Sequence, residues 1–154
     1  MPAISVFVDT NLLFYIRDVR DEARSLAASR WLRTLARTER GRSNLQVMNE
    51  LTNVLLKRRP DLSAGEVFAL VDELHFLGTQ PIGAQTVGLS RGLRTRYRYS
   101  WWDCLLLASA LELGCTHFLS EDMQDGQRIS LATEQGLTLV NPFAHSPDDI
   151  LSQH

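Results

Sequence analysis

Apolar runs alternate with amphipathic stretches along most of the chain. Ile4 to Val8 is almost continuously apolar and rich in β-branched residues, which predicts a strand buried on both faces. It stops at Asp9, and Thr10 and Asn11, either able to cap, then open a short helix over Leu12 to Ile16. After the charged turn 17–22, Asp18 or Asp21 can cap a helix whose Ala23, Leu26, Ala27 and Trp31 keep helical spacing. The pattern fades over the polar residues 38–43, and residues 44–46 leave room for a short strand. Val47 to Arg59 reads as a helix stopped by Pro60, with Val47, Leu51, Val54 and Leu55 in one stripe. A capping box, Ser63 to Glu66, introduces Val67, Leu70, Val71, Leu74 and Leu77 on one face, closed by Gly78. Thr79 to Ile82 suggests a brief strand, and Gln85 to Arg96 another helix. Ser100-Trp101-Trp102-Asp103 opens a helix over Cys104 to Leu113 that is apolar nearly all round, hence central, with Gly114 as its cap. Thr116 to Leu119 and Leu137 to Val140 are the last strands, separated by the acidic turn 120–126. Strands alternating with helices predict an α/β fold, a parallel β-sheet flanked by helices on both faces. It occupies one domain over 1–143, followed by a polar, loosely held tail over 144–154.

Composition changes this picture little. A length of 154 residues suits one domain, and 44% hydrophobic with 22% charged residues is ordinary for a globular protein. No apolar run reaches the roughly 20 residues that span a bilayer, and the amino terminus lacks a signal-peptide layout, so a cytoplasmic protein is expected. Cys104 and Cys115 fall on or just beyond one helix, roughly 16 Å apart at about 1.5 Å per residue, too far for a disulfide. His75, His117, His145 and His154 show no zinc-ligand spacing. The net charge of −2 hides three basic groups, Arg30 to Arg42, Lys57-Arg58-Arg59 and Arg91 to Arg98. Separated patches of this kind suit a phosphate backbone lying across an acidic cleft, although each arginine taken alone also reads as a solvated helix face.

Four acids change the picture more. Asp9 ends a buried strand, Glu50 interrupts an apolar helical stripe, Asp103 starts the most buried helix, and Asp122 follows a strand as Asp9 does. Each has a plain structural reading: Asp9 and Asp103 as helix caps, Asp122 and Asp125 as turn formers, Glu50 reaching to the helix flank. Together these readings require four coincidences. Two carboxylates about 5 Å apart repel by roughly 3 kcal/mol at an effective dielectric near 20, so a cluster must raise its own pKa values or recruit a cation. Oxygen donors without histidine or thiolate favour Mg²⁺ or Mn²⁺. The predicted chemistry is metal-assisted phosphodiester hydrolysis.

Val8-Asp9-Thr10-Asn11, Glu50 within a helix, Trp102-Asp103 opening an apolar helix, and Leu119 to Gly126 together resemble the PIN domain, in order and over essentially the whole chain. The compact bacterial branch, the VapC-like toxins of type II toxin–antitoxin modules, is the most similar. The resemblance implies an Mg²⁺-dependent endoribonuclease, Mn²⁺ being able to substitute, with Asp9, Glu50, Asp103 and Asp122 as metal-binding catalytic acids. It further implies that Thr10, Asn11 and Ser120 orient carboxylates or waters and that Asp125 is an outer ligand. Its other implications are an RNA substrate, a homodimer and a cognate antitoxin. Arg91, Arg94, Arg96 and Arg98 are the candidates for RNA contact, whereas Trp101 and Trp102 read as core or dimer packing ahead of RNA stacking. A receiver domain would need a late lysine, and the sole lysine is Lys57. A haloacid-dehalogenase phosphatase would need aspartate at position 11, which is Asn11. A non-catalytic RNA- or protein-binding module on the same fold is the remaining alternative.

Overall fold

The computed structural model describes residues 3–18, 20–131 and 136–152, so His154 lies outside the described residues. Five strands, β1 (Val6–Val8), β2 (Gly41–Arg42), β3 (His117–Leu119), β4 (Arg128–Ile129) and β5 (Leu137–Val140), align in the order β2-β1-β3-β5-β4. All pairings are parallel except β4 with β5. Val6, Phe7 and Val8 are completely buried, and successive strand residues face opposite ways, so helices and loops cover both faces of β1. Phe7 stacks on its register partner Phe118 with ring centroids 5.2 Å apart. This is the predicted α/β class, with a mostly parallel sheet.

Around the sheet lie α1 (Thr10–Tyr15), α2 (Glu22–Thr38), α3 (Leu45–Arg58), α4 (Ala64–Asp72), α5 (Ala84–Arg96), α6 (Trp101–Glu112) and α7 (Pro147–Leu151). The register of the inner strands sets the site. Val8 pairs with Leu119, so Asp9 and Ser120 leave the sheet side by side at its carboxyl edge. On the other flank, Ser43 Oγ donates to Val8 O at 3.0 Å, and Asn44 Oδ1 accepts from Val47 N at 2.9 Å, starting α3 beside β1. Gly78 closes this corner: its φ is +129°, and a Cβ there would lie 2.7 Å from Ser43 O. The central α6 is apolar on all sides, with Cys104 to Ala110 buried without a break.

Several local readings shift. The edge strand on this flank is β2, not residues 79–82, which run irregularly and attach through Leu45 N to Gln80 O at 3.0 Å. The two-residue strands β2 and β4 are too short to carry an alternating pattern. The buried stripe of α2 is Ala28, Trp31 and Leu35, while Leu26 is 64% exposed. The α4 face reaches Leu77 only by way of a 3-10 turn over His75–Leu77. Trp102 is exposed rather than packed in the core. The carboxyl-terminal segment is not loose: Ser146 caps α7, and Pro147 and Ile150 are buried. Both cysteines are free and buried, as expected.

Trp31 fastens that segment. Its indole Nε1 donates to Pro142 O at 2.8 Å and to His145 O at 3.2 Å from a fully packed position. Trp31→Phe keeps most of the apolar volume but leaves buried carbonyl oxygens without a donor. The expected cost is about 1–3 kcal/mol, read as a lower urea midpoint with an unchanged m-value.

Candidate active site

Asp9 stands at the carboxyl end of β1 as the N-cap of α1, with Oδ1 accepting from Thr10 N at 2.6 Å. The capping role and the cluster role therefore coincide in one side chain. Burial, together with the charges of Glu50 and Asp103, pushes its carboxyl up to about 7 against the opposing hydrogen bond from Thr10. Glu50 projects from α3 and is held by two donors, Thr10 Oγ1 on Oε2 and Gln46 Nε2 on Oε1, each at 3.0 Å. Asp103 occupies the first turn of α6. Its amide donates to Ser100 Oγ at 3.1 Å, but among the described residues its carboxylate accepts no hydrogen bond. The capping box is thus half made, and the cap accounts for Ser100 rather than for the Asp103 carboxylate.

Asp122 lies farther out, exposed on the turn after β3, where Asn11 Nδ2 donates to its Oδ2 at 3.3 Å. Asp9, Asn11, Ser120 and Glu121 line one narrow cleft of about 10 Å³ with Pro142 and Phe143. A roomier cavity of about 400 Å³, lined by Asn44, Gln80, Thr86, Ser109 and Glu112 among others, includes none of the four acids. Asp125 is committed elsewhere: Oδ1 accepts from Asn141 N at 2.8 Å and Oδ2 meets His145 Nε2 at 2.7 Å, contacts that hold its carboxyl below the usual range.

Glu121 is the residue of this cleft that the sequence reading passed over. It accepts from Arg24 Nε at 2.8 Å, again from Arg24 Nη2, and from Tyr15 OH at 3.1 Å. Arg24 also reaches Asp21 at 3.0 Å and lies over the Phe143 ring, 5.2 Å from its centroid. Glu121 is therefore neutralised in place, while Asp9 has no cationic partner among the described residues. Two neighbouring acids after a strand were visible in the sequence, but an arginine 97 positions away was not a readable partner. Gln46, four residues before Glu50, was readable at helical spacing.

Of the four candidate arginines, Arg96 is tied to Ser130 O at 3.0 Å. Arg91, Arg94 and Arg98 are exposed and have no carboxylate partner among the described residues, unlike Arg17, Arg20, Arg24, Arg30 and Arg59. No three carboxylates or histidines among the described residues stand close enough to form a ready metal cage. The donor chemistry nevertheless fits a hard cation: the charges of Glu50 and Asp103 act on Asp9, whose charged form is disfavoured until positive charge arrives.

The PIN domain family profile matches residues 6–124. No curated protein matches the chain. Among solved structures, the chain is similar to the Mycobacterium tuberculosis toxin VapC20, described as cleaving the sarcin-ricin loop, at 18% identity and a TM-score of 0.56, covering 74% of this chain and 87% of that one. It is also similar to VapBC2 of Rickettsia felis, solved bound to a DNA fragment from their promoter, at 15% identity and a TM-score of 0.58, covering 79% and 90%. Identities this low carry a likeness of fold.

The raised Asp9 carboxyl makes stability depend on pH. Its folded pKa of about 7 exceeds the ordinary 3.8, so between these values the folded protein holds a proton that the unfolded chain has released. Metal-free protein is therefore expected to lose stability as pH rises from about 4 to about 7, by at most about 4 kcal/mol at 1.36 kcal/mol per pKa unit. Asp9→Asn is expected to flatten this dependence and melt higher than the parent above pH 7. Urea titrations of both proteins across that range check it.

Proposed function

The chain belongs to the PIN domain family and has a VapC-like fold, and from that premise we propose that it is a metal-dependent endoribonuclease, the toxin of a toxin–antitoxin pair. The observation that carries this reading is a half-buried Asp9 at the carboxyl edge of the sheet, its carboxyl raised by burial and by the nearby charges of Glu50 and Asp103. In open α/β sheets that edge is where ligands bind. Asp9, Glu50, Asp103 and Asp122 would hold Mg²⁺, or Mn²⁺ in its place. Bound there, the ion supplies the positive charge the acids lack and Lewis acidity toward a phosphodiester.

The remaining contributions come from the chain itself. Thr10 and Gln46 fix the two Glu50 oxygens, and Asn11, which lines the cleft, donates to Asp122. Ser120 lines that cleft beside Asp9, and Asp125 supports it from outside by clamping the 141–145 segment. Arg91, Arg94 and Arg98, which have no carboxylate partner among the described residues, offer guanidinium groups to an RNA backbone, with Arg96 at their margin. A second copy of the chain and a cognate antitoxin are the protein partners of this reading. A cytoplasmic location also belongs to it, and no helix among the described residues is long and apolar enough to cross a membrane. One observation favours the non-catalytic binding module instead, namely that the acids are not drawn up as a finished cage.

Cleavage of total cellular RNA separates the two readings. Discrete fragments are expected with Mg²⁺ or Mn²⁺, none with EDTA, and a loss of at least about a hundredfold for Asp103→Asn with its fold intact. Equal cleavage by Asp103→Asn would remove the assignment; binding without cleavage in either metal would establish the binding module. Millimolar Mg²⁺ is also expected to raise the melting temperature more at about pH 8 than at about pH 5, because protonated Asp9 competes with the ion. A melting temperature indifferent to Mg²⁺ at both pH values would count against a metal site in the free protein.

A further inference from the structure

Trp102 is 62% exposed on the first turn of α6, immediately before Asp103. Its neighbour Trp101 is half-buried, as expected when successive helix residues turn by about 100°. Among the described residues, the other large exposed apolar side chains are Leu26, Leu45, Leu56, Phe68 and Phe76. Of these six, Trp102 alone adjoins one of the four acids in sequence. An indole held in water forgoes much of the burial free energy an aromatic side chain offers, and no cap or core packing explains its place.

The surroundings are cationic. Ser90 Oγ contacts Cys104 O at 3.4 Å, which sets the later turns of α5 beside the start of α6. Arg94 lies near enough to Cys104 for its charge to act on the thiol. Arg91, Arg94 and Arg98 have no carboxylate partner among the described residues, so an exposed aromatic face and guanidinium groups lie on and between neighbouring helices. That combination suits single-stranded nucleic acid, whose bases stack on aromatic rings while arginines hold the backbone.

We propose that Trp102 is a base-stacking subsite that seats an unpaired RNA base next to the phosphodiester facing Asp103. The subsite rests on the nuclease reading and adds to it a preference for loops or single strands over duplex, whose bases are already stacked.

Trp102→Ala and Trp102→Phe are compared with the parent on a hairpin RNA carrying an unpaired loop and on its fully paired counterpart. Trp102→Ala is expected to weaken use of the loop RNA by roughly tenfold, mainly through KM, while Trp102→Phe keeps most of the affinity. In the cleavage-deficient Asp103→Asn background, loop RNA is expected to quench tryptophan fluorescence, and Trp102→Phe removes that quench. Melting curves of both variants are expected to match the parent. If the parent cuts the loop RNA and Trp102→Ala does so with the same KM, the subsite is wrong and the nuclease stands. If Trp102→Ala runs as a smaller species than the parent in size-exclusion chromatography, the indole is a subunit contact and the subsite is likewise wrong. A parent that neither binds nor cuts any RNA removes the nuclease reading itself.

Discussion

The unfavourable setting of the Asp9 carboxylate is the constraint on which the rest of the architecture depends. At the end of a fully buried strand, desolvation does most to raise its carboxyl, and the fields of Glu50 and Asp103 add to it. Left to local forces, such groups would separate or turn outward into water. They stay because each is fixed by an element whose position is set by something else: Asp9 by the pairing of β1 with β3, Glu50 by α3, and Asp103 by a helix buried without a break from Cys104 to Ala110. Core packing thus opposes a local penalty that is a sizeable fraction of the net stability of a domain, about 5–15 kcal/mol.

The surrounding charges show that this arrangement is specific to one cluster. Glu121 shares the cleft with Asp9, yet it is met by Arg24, Tyr15 OH and the rings beside them. Asp125 is met by His145 and the Asn141 amide, and Asp18 by Arg20. Arginines lie within reach across this surface and neutralise other acids, but not Asp9. A structural carboxylate gains from a cationic partner, whereas one that must bind an incoming cation loses by having its place filled.

What the sequence made legible follows from the range of the forces involved. Asp9 and Asp103 could be read because a charge ending an apolar run is a local signal, and Ser63 with Glu66 because a capping box spans four residues. The strand β2 escaped because two residues carry no period, and its pairing with β1 is decided by the 43–45 corner and the close approach at Gly78. In α2 the burial stripe was read out of phase because alanines and leucines occur on both faces, and only Trp31 discriminates between them. The Glu121–Arg24 pair and the clamp on residues 141–145 join distant positions that no spacing rule connects. Trp102 meets a related limit: hydropathy alone does not distinguish an indole packed in the core from an exposed one, and its exposure removes only the core part of that reading.

The donors in the cluster divide its protonation unequally. Both Glu50 oxygens accept a hydrogen bond from a neutral side chain, and Asp122 accepts one from Asn11. Asp9 has the Thr10 amide on one oxygen, and its carboxyl, raised to about 7 chiefly by burial, holds a proton below that pH. Near neutrality a single proton then does for the empty cluster what a cation would do for the loaded one, screening the acids from each other. A cation taking the place of that proton meets less competition as pH rises past about 7, where the Asp9 carboxyl has already released it.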